Sequence, residues 1–232
     1  MRSANVSLEG QGSELLVPRL PIEGLAGPVV TSKTYPLGSM QDNAIGLGWR
    51  VHSWRALVVA VRGPATSPEI VHREEITLID DEATREPYHA ACAVPVGEAT
   101  ALIGSVEKAA AAAAAKAITG FVSSLGSVAA VGVVGGTRKV PSELSGRLAS
   151  HAMLHASERD LYERAIIEGA NTAKLPVTTI PATGKLFAEA SEVLGVKLEP
   201  TLASLGKSVG RPWQKDHKEA TAAALVALKA AG

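Results

Sequence analysis

The sequence has little cysteine: Cys92 is the only one among 232 residues. A single thiol excludes an intramolecular disulfide and every cysteine-based zinc knuckle. Chains without disulfides are typical of reducing compartments, so we predict a cytoplasmic protein. The first twenty residues also lack the apolar run of a secretory signal, which agrees with that prediction.

Long hydrophobic runs and an excess of charge are missing as well. The longest apolar run is seven alanines at 109–115, flanked by Lys108 and Lys116, which is typical of a helix in water rather than in a bilayer. The 23 basic residues balance the 23 acidic residues, whereas proteins that bind nucleic acid usually have a basic excess or a basic face. We therefore expect no membrane partner, and we expect nucleic acid as a partner only through a local basic patch.

The hydrophobic pattern divides the chain into two parts. Residues 1–52 are rich in glycine, serine and proline and have no sustained period, so we predict a loosely ordered N-terminal arm with one short strand near Pro28–Thr31. Residues 53–232 have clear strand and helix periods. Their length suits one α/β domain with a single well-buried core.

From Trp54 onward the pattern predicts alternating strands and helices. A buried strand at 55–63 and a half-exposed strand at 69–80 form a β-hairpin around the turn segment GPATSP. The later predicted elements are a strand at 88–96, a helix at 97–125, a strand at 127–136, a helix at 148–173, a strand at 176–181 and helices at 183–195 and 212–230. This order predicts an α/β fold with a mixed sheet and helices on both faces.

The second long helix carries polar side chains on the face that its pattern predicts to be buried. At about 100° per residue, one arc contains His151, His155, Glu158 and Tyr162. Burying such groups costs on the order of a few kcal/mol each unless they are hydrogen-bonded or coordinated, so they need partners. One interpretation is a polar network within the core.

Two other interpretations give these residues a function. In one, His151 and Glu158 are catalytic residues that line a cleft. In the other, His155 and Glu158 bind a metal ion, because the spacing His-x₃-His places two imidazoles on one helical face. The segment does not fit a zinc peptidase, since Ala152 stands where that motif carries its glutamate.

The last helix begins with two acidic residues, Asp216 and Glu219, three positions apart on one face. Carboxylates in the first turn of a helix are often present only because they interact favourably with its dipole. If this face packs toward the ends of the strands, however, the pair could hold Mg²⁺. Both are therefore candidate catalytic residues, and Asp216 is also a candidate metal ligand.

Basic residues in two loop regions are candidate nucleic-acid contacts. They are Arg138, Lys139, Lys207, Arg211 and Lys215. The first two follow the glycine-rich segment GVVGG, which lacks the P-loop pattern. The other three lie near Trp213, and basic residues around an aromatic side chain are compatible with nucleic-acid contact. His89 has no such setting, and we predict an ordinary surface or packing histidine.

Three segments of the chain resemble signature segments of a bacterial protein family assigned to the ribonuclease H-like superfamily, which includes the Holliday-junction resolvases. They are EPYHAA, SHAMLHASERDLYERAI and GRPWQKDHKEATAAALVAL. The resemblance extends over residues 54–230. It implies a fold that begins with a β-hairpin and a third strand and continues with alternating helices and strands. It also implies an acidic residue on the last helix, a position that Asp216 or Glu219 matches.

Two departures from the resolvase pattern bear on activity. Resolvase-like enzymes carry an aspartate in the first strand, but ALVVAVRGPATS contains no acid. They carry a second carboxylate at the end of the strand that reads VGVVGG here, and glycine stands at that position. Two-metal phosphodiester hydrolysis needs several carboxylates around its ions. A different site would require the helices that carry Glu158 and Asp216 to flank one cleft.

Three functional hypotheses follow. The first is a divalent-metal-dependent nuclease or other phosphodiester-processing enzyme with relocated acids, using Mg²⁺ or Mn²⁺ and no organic cofactor. The second is a catalytically degenerate module that binds nucleic acid or another partner. The third is a small-molecule metalloenzyme that uses His151, His155 and Glu158. The buried polar side chains favour an enzyme slightly over a binding module.

Overall fold

The structure is a computed structural model that describes residues 43–136 and 139–232. Its strands are β1 (Ile45–Val51), β2 (Arg55–Arg62), β3 (Glu69–Thr77), β4 (Val128–Gly135) and β5 (Val177–Pro181). Its helices are α1 (Pro87–Ala91), α2 (Val96–Leu125), α3 (Leu144–Arg147), α4 (His151–Thr172), α5 (Leu186–Leu194), α6 (Leu198–Val209) and α7 (Lys215–Ala231). No helix within these two ranges is long and apolar enough to cross a bilayer.

The strands form one mixed sheet in the order β3-β2-β1-β4-β5. β2 is antiparallel to both of its neighbours, whereas β1, β4 and β5 are parallel to one another. The strands up to β3 are joined directly, and helices separate the later strands, as the resemblance to the ribonuclease H-like superfamily implies. The predicted α/β class with a mixed sheet is confirmed.

Two apolar clusters cover the two faces of the sheet. One cluster joins the sheet to α1, α2 and α4 around Leu47, Trp49 and Tyr162. The other joins it to α5, α6 and α7 around Val59, Val134 and Leu225. Neighbouring residues of one strand belong to different clusters, for example Val133 and Val134, because successive side chains of a strand point to opposite faces. Helices therefore lie on both faces, as predicted.

The prediction of a third strand at 88–96 was wrong. Residues 87–91 form α1, which starts with Pro87, and proline is favoured at the first position of a helix because it needs no amide hydrogen there. The strand that completes the antiparallel part is β1, which precedes the hairpin. It lies within the predicted N-terminal arm, so the boundary at residue 52 was misplaced. The strand predicted near Pro28–Thr31 lies outside the described residues.

The sequence of β1, IGLGWRV, does not have a strand-like pattern because two of its positions are glycines. The structure explains them by the close approach of α7. A Cβ on Gly46 would lie 2.6 Å from the carbonyl oxygen of Ala224, and one on Gly48 would overlap the carbonyl of Ala220. Gly132 of β4 has the same relation to the carbonyl of Ala223. These glycines let the last helix lie directly against the central strands.

The candidate functional residues lie at one end of the strands. The carboxyl ends of the parallel strands β1, β4 and β5 meet there, which is where ligands bind in open α/β sheets. Arg50 and Val51 end β1 and His52 follows it, whereas Gly135 ends β4 and Gly136 follows it. Helix α4 begins near this edge, with the side chain of Ser150 accepting a hydrogen bond from the Met153 amide. The N-cap at Ser150 thereby makes His151 the first helical residue.

Candidate functional site

Three histidines from two helices come together at the start of α4. His89 is on α1, and His151 and His155 are one turn apart on α4. One ring nitrogen from each lies within 4.8 Å of the others, and the ring centroids are 4.5–5.3 Å apart. We call these three residues the histidine cluster. Within the two described ranges, no other group of three histidine, cysteine or acidic side chains is arranged so closely.

Glu158 lies under the histidine cluster and is fully buried. Its Oε1 is 2.7 Å from Nδ1 of His89 and also accepts the His89 backbone amide at 3.3 Å. Its Oε2 is 3.7 Å from Nδ1 of His155. A carboxylate on Nδ1 assigns the proton of His89 to that nitrogen and leaves Nε2 as the free electron-pair donor. This carboxylate–histidine contact is the usual support of a metal-binding imidazole.

Contacts around Glu158 fix α1 on α4. The Tyr162 hydroxyl donates to the carbonyl oxygen of Arg85 at 2.7 Å. Arg147 donates to both the Tyr88 hydroxyl and Asp160, at 3.0 and 3.1 Å. Burial raises the pKa of Tyr162, and the neighbouring Glu158 raises it further, so its hydroxyl remains a donor. Hydrogen bonds from α4 to Arg85, just before α1, and from Arg147 to Tyr88, within α1, therefore hold His89 in place relative to α4.

The prediction that both histidines point into the core was wrong. His151 is exposed, and the side chain of His155 is 49% exposed. Glu158 and Tyr162, one and two turns further along, are fully buried as predicted. The difference arises because His151 and His155 lie near the start of α4, where the described residues leave them exposed, whereas the later turns pack into the core. His89, predicted to be an ordinary histidine, belongs to the histidine cluster, and nothing in the local sequence indicates this.

Asp216 and Glu219 on α7 meet cations instead of each other. Nε of Arg50 lies 2.7 Å from Oε2 of Glu219 and 3.7 Å from Oδ1 of Asp216. His52 contacts Oδ2 of Asp216 at 3.0 Å, and Lys215 contacts Oε1 of Glu219 at 3.5 Å. All four carboxylate oxygens are therefore within ion-pair distance of a nitrogen of Arg, His or Lys.

This pairing decides whether the acids fit the Mg²⁺ or Mn²⁺ that the resemblance implies. Such ions need carboxylate oxygens that are free to bind them. Here the guanidinium of Arg50 already lies between the two carboxylates, and it comes from β1, which carries no acid. The acids as arranged do not fit a divalent ion. Glu158 contacts His89 and Asp216 contacts Arg50 and His52, so the two carboxylates are not in one ligand set.

A cleft nevertheless connects α4 with the end of β1. A cavity of about 300 Å³ is lined by Arg50, His52 and Arg55 on one side and by His155 and Arg159 on the other. A second cavity of about 510 Å³ shares His155 and Arg159 and extends along α4 to Glu163 and Gly136. The histidine cluster therefore borders a cleft at the carboxyl end of the sheet through His155, whereas His89 lines a separate cavity beside Trp54 and Glu86.

Glu163 is an acid in this cleft that the sequence did not indicate as functional. It is 8% exposed, and its Oε2 accepts the Gly136 amide at 2.8 Å. A Cβ on Gly135 would overlap its carboxyl group, so the glycine makes room for it. Burial is the main reason that its pKa is raised; the Gly136 amide and Arg159 oppose the shift. The glycine pair at the end of β4 is the one sequence signal that points to it.

Four of the five predicted nucleic-acid contacts lie among the described residues, in three segments of the chain. Arg138 lies outside the described residues, and Lys139 is exposed in the loop after β4. Lys207 and Arg211 are exposed near the end of α6, and Lys215 contacts Glu219. Trp213, which these last three surround, packs against α6 and donates its indole N–H to the Leu202 carbonyl at 2.9 Å.

Comparison with known proteins identifies no family for this chain. No protein-family model matches the chain, and no curated protein matches it. Among solved structures, the chain is similar to T. thermophilus RuvC in complex with Holliday junction substrate. The TM-score is 0.45 at 14% sequence identity, and the alignment covers 79% of this chain and 91% of that chain.

Proposed function

We propose that this domain is a metal-dependent hydrolase in which the histidine cluster binds one divalent transition-metal ion. The observation that carries the proposal is the approach of three imidazole nitrogens to within 4.8 Å of one another above a buried carboxylate. Imidazole ligands suit Zn²⁺ and its first-row neighbours, whereas Mg²⁺ prefers oxygen. A metal ion held by three protein ligands keeps a position for water and lowers the pKa of that water, which supplies a nucleophile for hydrolysis.

Glu158 is a positioning residue in this proposal. Its Oε1 holds the His89 ring by Nδ1, with the ring centroid 5.3 Å from that of His151 and 4.7 Å from that of His155. Its burial keeps it away from the cleft, because it lines neither of the two cavities there. His151 and His155 are exposed and leave one side of the cluster open to a substrate. The resemblance to the ribonuclease H-like superfamily makes phosphodiesters, including nucleic acid, the expected substrate class.

The second candidate is a nucleic-acid-binding module without catalysis. Arg50 favours it, because a guanidinium between Asp216 and Glu219 neutralises the acids of the last helix, as a catalytic metal would. This candidate predicts salt-sensitive binding of DNA or RNA with no turnover, since phosphate contacts release counterions. It also predicts no dependence on metal.

The test is metal content and metal affinity of the purified protein. We expect about one equivalent of Zn²⁺ or a neighbouring metal per chain, and we expect His155→Ala to weaken binding at least about tenfold, because two ligands remain. His72→Ala is the matched control: His72 is also surface-exposed and contacts a carboxylate, Glu74, but it lies on β3. Hydrolysis of bis(4-nitrophenyl) phosphate should disappear with a chelator and in His155→Ala.

The outcomes separate the candidates. Absence of bound metal, or equal metal affinity in His155→Ala and His72→Ala, would overturn the metal site. Metal binding without hydrolysis of any phosphodiester would leave a structural metal and contradict the hydrolase. Salt-sensitive nucleic-acid binding by a metal-free protein would instead support the second candidate.

A further inference from the structure

Arg159 is a cation beside the histidine cluster that no carboxylate of the described residues approaches within ion-pair distance. It lies on the exposed face of α4, one turn beyond His155. Within the residues that the structure describes, its guanidinium makes no hydrogen bond and no ion pair. Because an arginine side chain presents five N–H donors in a planar fork, it is usually paired with an acid or used to bind an anion.

The lack of a partner is not caused by a lack of acids nearby. Three acids lie within about one turn of Arg159, and each has other donors. Glu158 binds His89, and Glu163 binds the Gly136 amide. Asp160 accepts from both Arg147 and Arg164, each at 3.1 Å. None of these three carboxylates lies within ion-pair distance of Arg159, although the charge of Arg159 acts on Glu163 from further away, and the Arg159 side chain lines the cleft.

Arg159 lies where the two cavities of the cleft adjoin. It lines both of them together with His155. In the smaller cavity the opposite wall is also cationic, but Arg50 and Arg55 there are each paired with a glutamate, Glu219 and Glu75. In the smaller cavity, Arg159 is therefore the arginine that no carboxylate of the described residues contacts, and no acid lines that cavity. An anion in this cavity would meet donors from both walls and a net attraction from α4.

We propose that Arg159 binds a phosphoryl group and holds it next to the histidine cluster. A planar guanidinium matches two phosphate oxygens with parallel hydrogen bonds. Four residues of helix separate Arg159 from His155 by about 6 Å along the axis, so one phosphoryl group can lie between the two side chains. That this anion is part of a substrate of the metal site rests on the proposed function. Binding of the anion itself needs no metal.

The experiment measures binding of two probes to the full chain after metal removal by a chelator. The probes are inorganic phosphate and a dinucleoside monophosphate, and isothermal titration gives their affinities. We expect Arg159→Gln to weaken binding of the preferred probe by about tenfold, because charged hydrogen bonds are lost. Arg159→Lys should retain part of the affinity. Lys116→Gln is the matched control, since it removes one exposed positive charge on α2, away from the cleft.

Each outcome supports or overturns the site. Tighter binding of the dinucleoside probe assigns the site to diesters, and tighter binding of phosphate assigns it to monoesters. No binding of either probe by the wild-type protein, or equal affinities in Arg159→Gln and Lys116→Gln, would overturn the proposal. If the protein binds no metal but Arg159→Gln still weakens phosphate binding, the metal site fails and the phosphoryl site stands.

Discussion

Arg50 illustrates how one residue changes the chemistry that a fold offers. It extends from the carboxyl end of β1 to the first turn of α7, where its guanidinium contacts both Asp216 and Glu219. Glu219 is only 3% exposed, and a buried carboxylate needs a charged partner. An arginine supplies that charge permanently, whereas a metal ion would supply it and also activate water. The acids of α7 therefore have a structural explanation, and the histidine cluster does not.

At the same scale, Glu163 gives a prediction about stability and pH. Its pKa is raised in the folded chain, mainly by burial; the charges that act on it are Arg159, Asp160 and Arg50. The folded state therefore keeps a proton that the unfolded state loses near pH 4.5. As the pH rises from that value through the raised pKa, the free energy of unfolding falls, by at most about 1.4 kcal/mol per pH unit.

Glu163→Gln removes this dependence, because an amide keeps the shape and the acceptor but cannot ionise. We expect the variant to gain stability relative to the wild type as the pH rises from about 4 to 7, in urea unfolding at several pH values. Glu192→Gln, at an exposed position of α5, controls for the loss of one acid. Parallel stability curves for Glu163→Gln and the wild type would contradict the assignment.

Single residues also show what the sequence could not predict about the site. Helical periodicity brought His151, His155, Glu158 and Tyr162 to one side of α4, and the structure has them on that side. Periodicity does not show how far the elements packed against α4 extend along it. His151 and His155 were therefore predicted to be buried, but they are exposed. His89 joins them only because α1 packs on α4, through contacts such as Tyr162 to Arg85. Such a contact between distant segments has no local signal.

At the scale of elements, the close packing of α7 on β1 depends on the glycines of β1. The clearest test is Gly48→Ala, because its Cβ would overlap the backbone carbonyl of Ala220, which cannot rotate away. We expect a loss of roughly 3 kcal/mol in the free energy of unfolding, the upper part of the range for overpacking. Urea unfolding measures it.

Gly120→Ala is the matched control for that substitution. Gly120 is exposed on α2, and a Cβ there has nothing within 4 Å. Alanine is the better helix former, so this variant should gain roughly 0.5–1 kcal/mol. A Gly48→Ala protein as stable as the wild type would mean that α7 does not lie as close to β1 as described.

The same packing explains which elements the sequence predicts. Apolar runs in β2 and β4 and the alternation in β3 were sufficient for those strands. β1 was not predicted. Because α7 packs closely against it, two of its positions must be glycine, and these glycines interrupt the apolar pattern that identifies a strand. α6 was not predicted either, although Leu198, Leu202 and Leu205 have the i, i+4, i+7 spacing of an amphipathic helix. For β1, in contrast, the local sequence carries no such pattern.

For the whole molecule, β1 is the central strand of the described sheet. It pairs with β2 on one side and with β4 on the other, so it joins the antiparallel part of the sheet to the parallel part. It also supplies Leu47 and Trp49 to the core and Arg50 and His52 to the cleft. A chain without β1 would have two separate pieces of sheet, each with an unpaired edge and an uncovered apolar face.

We therefore expect two truncated proteins to behave differently. A chain of residues 43–232 should unfold cooperatively in urea, because it contains all five described strands of the sheet. A chain of residues 53–232, which starts at the boundary that composition predicts, should lack a cooperative transition and aggregate, because the edges of β2 and β4 are left open. Circular dichroism during urea titration and size-exclusion chromatography distinguish the two. Cooperative unfolding of the shorter chain would show that β1 is dispensable and that the sheet closes without its central strand.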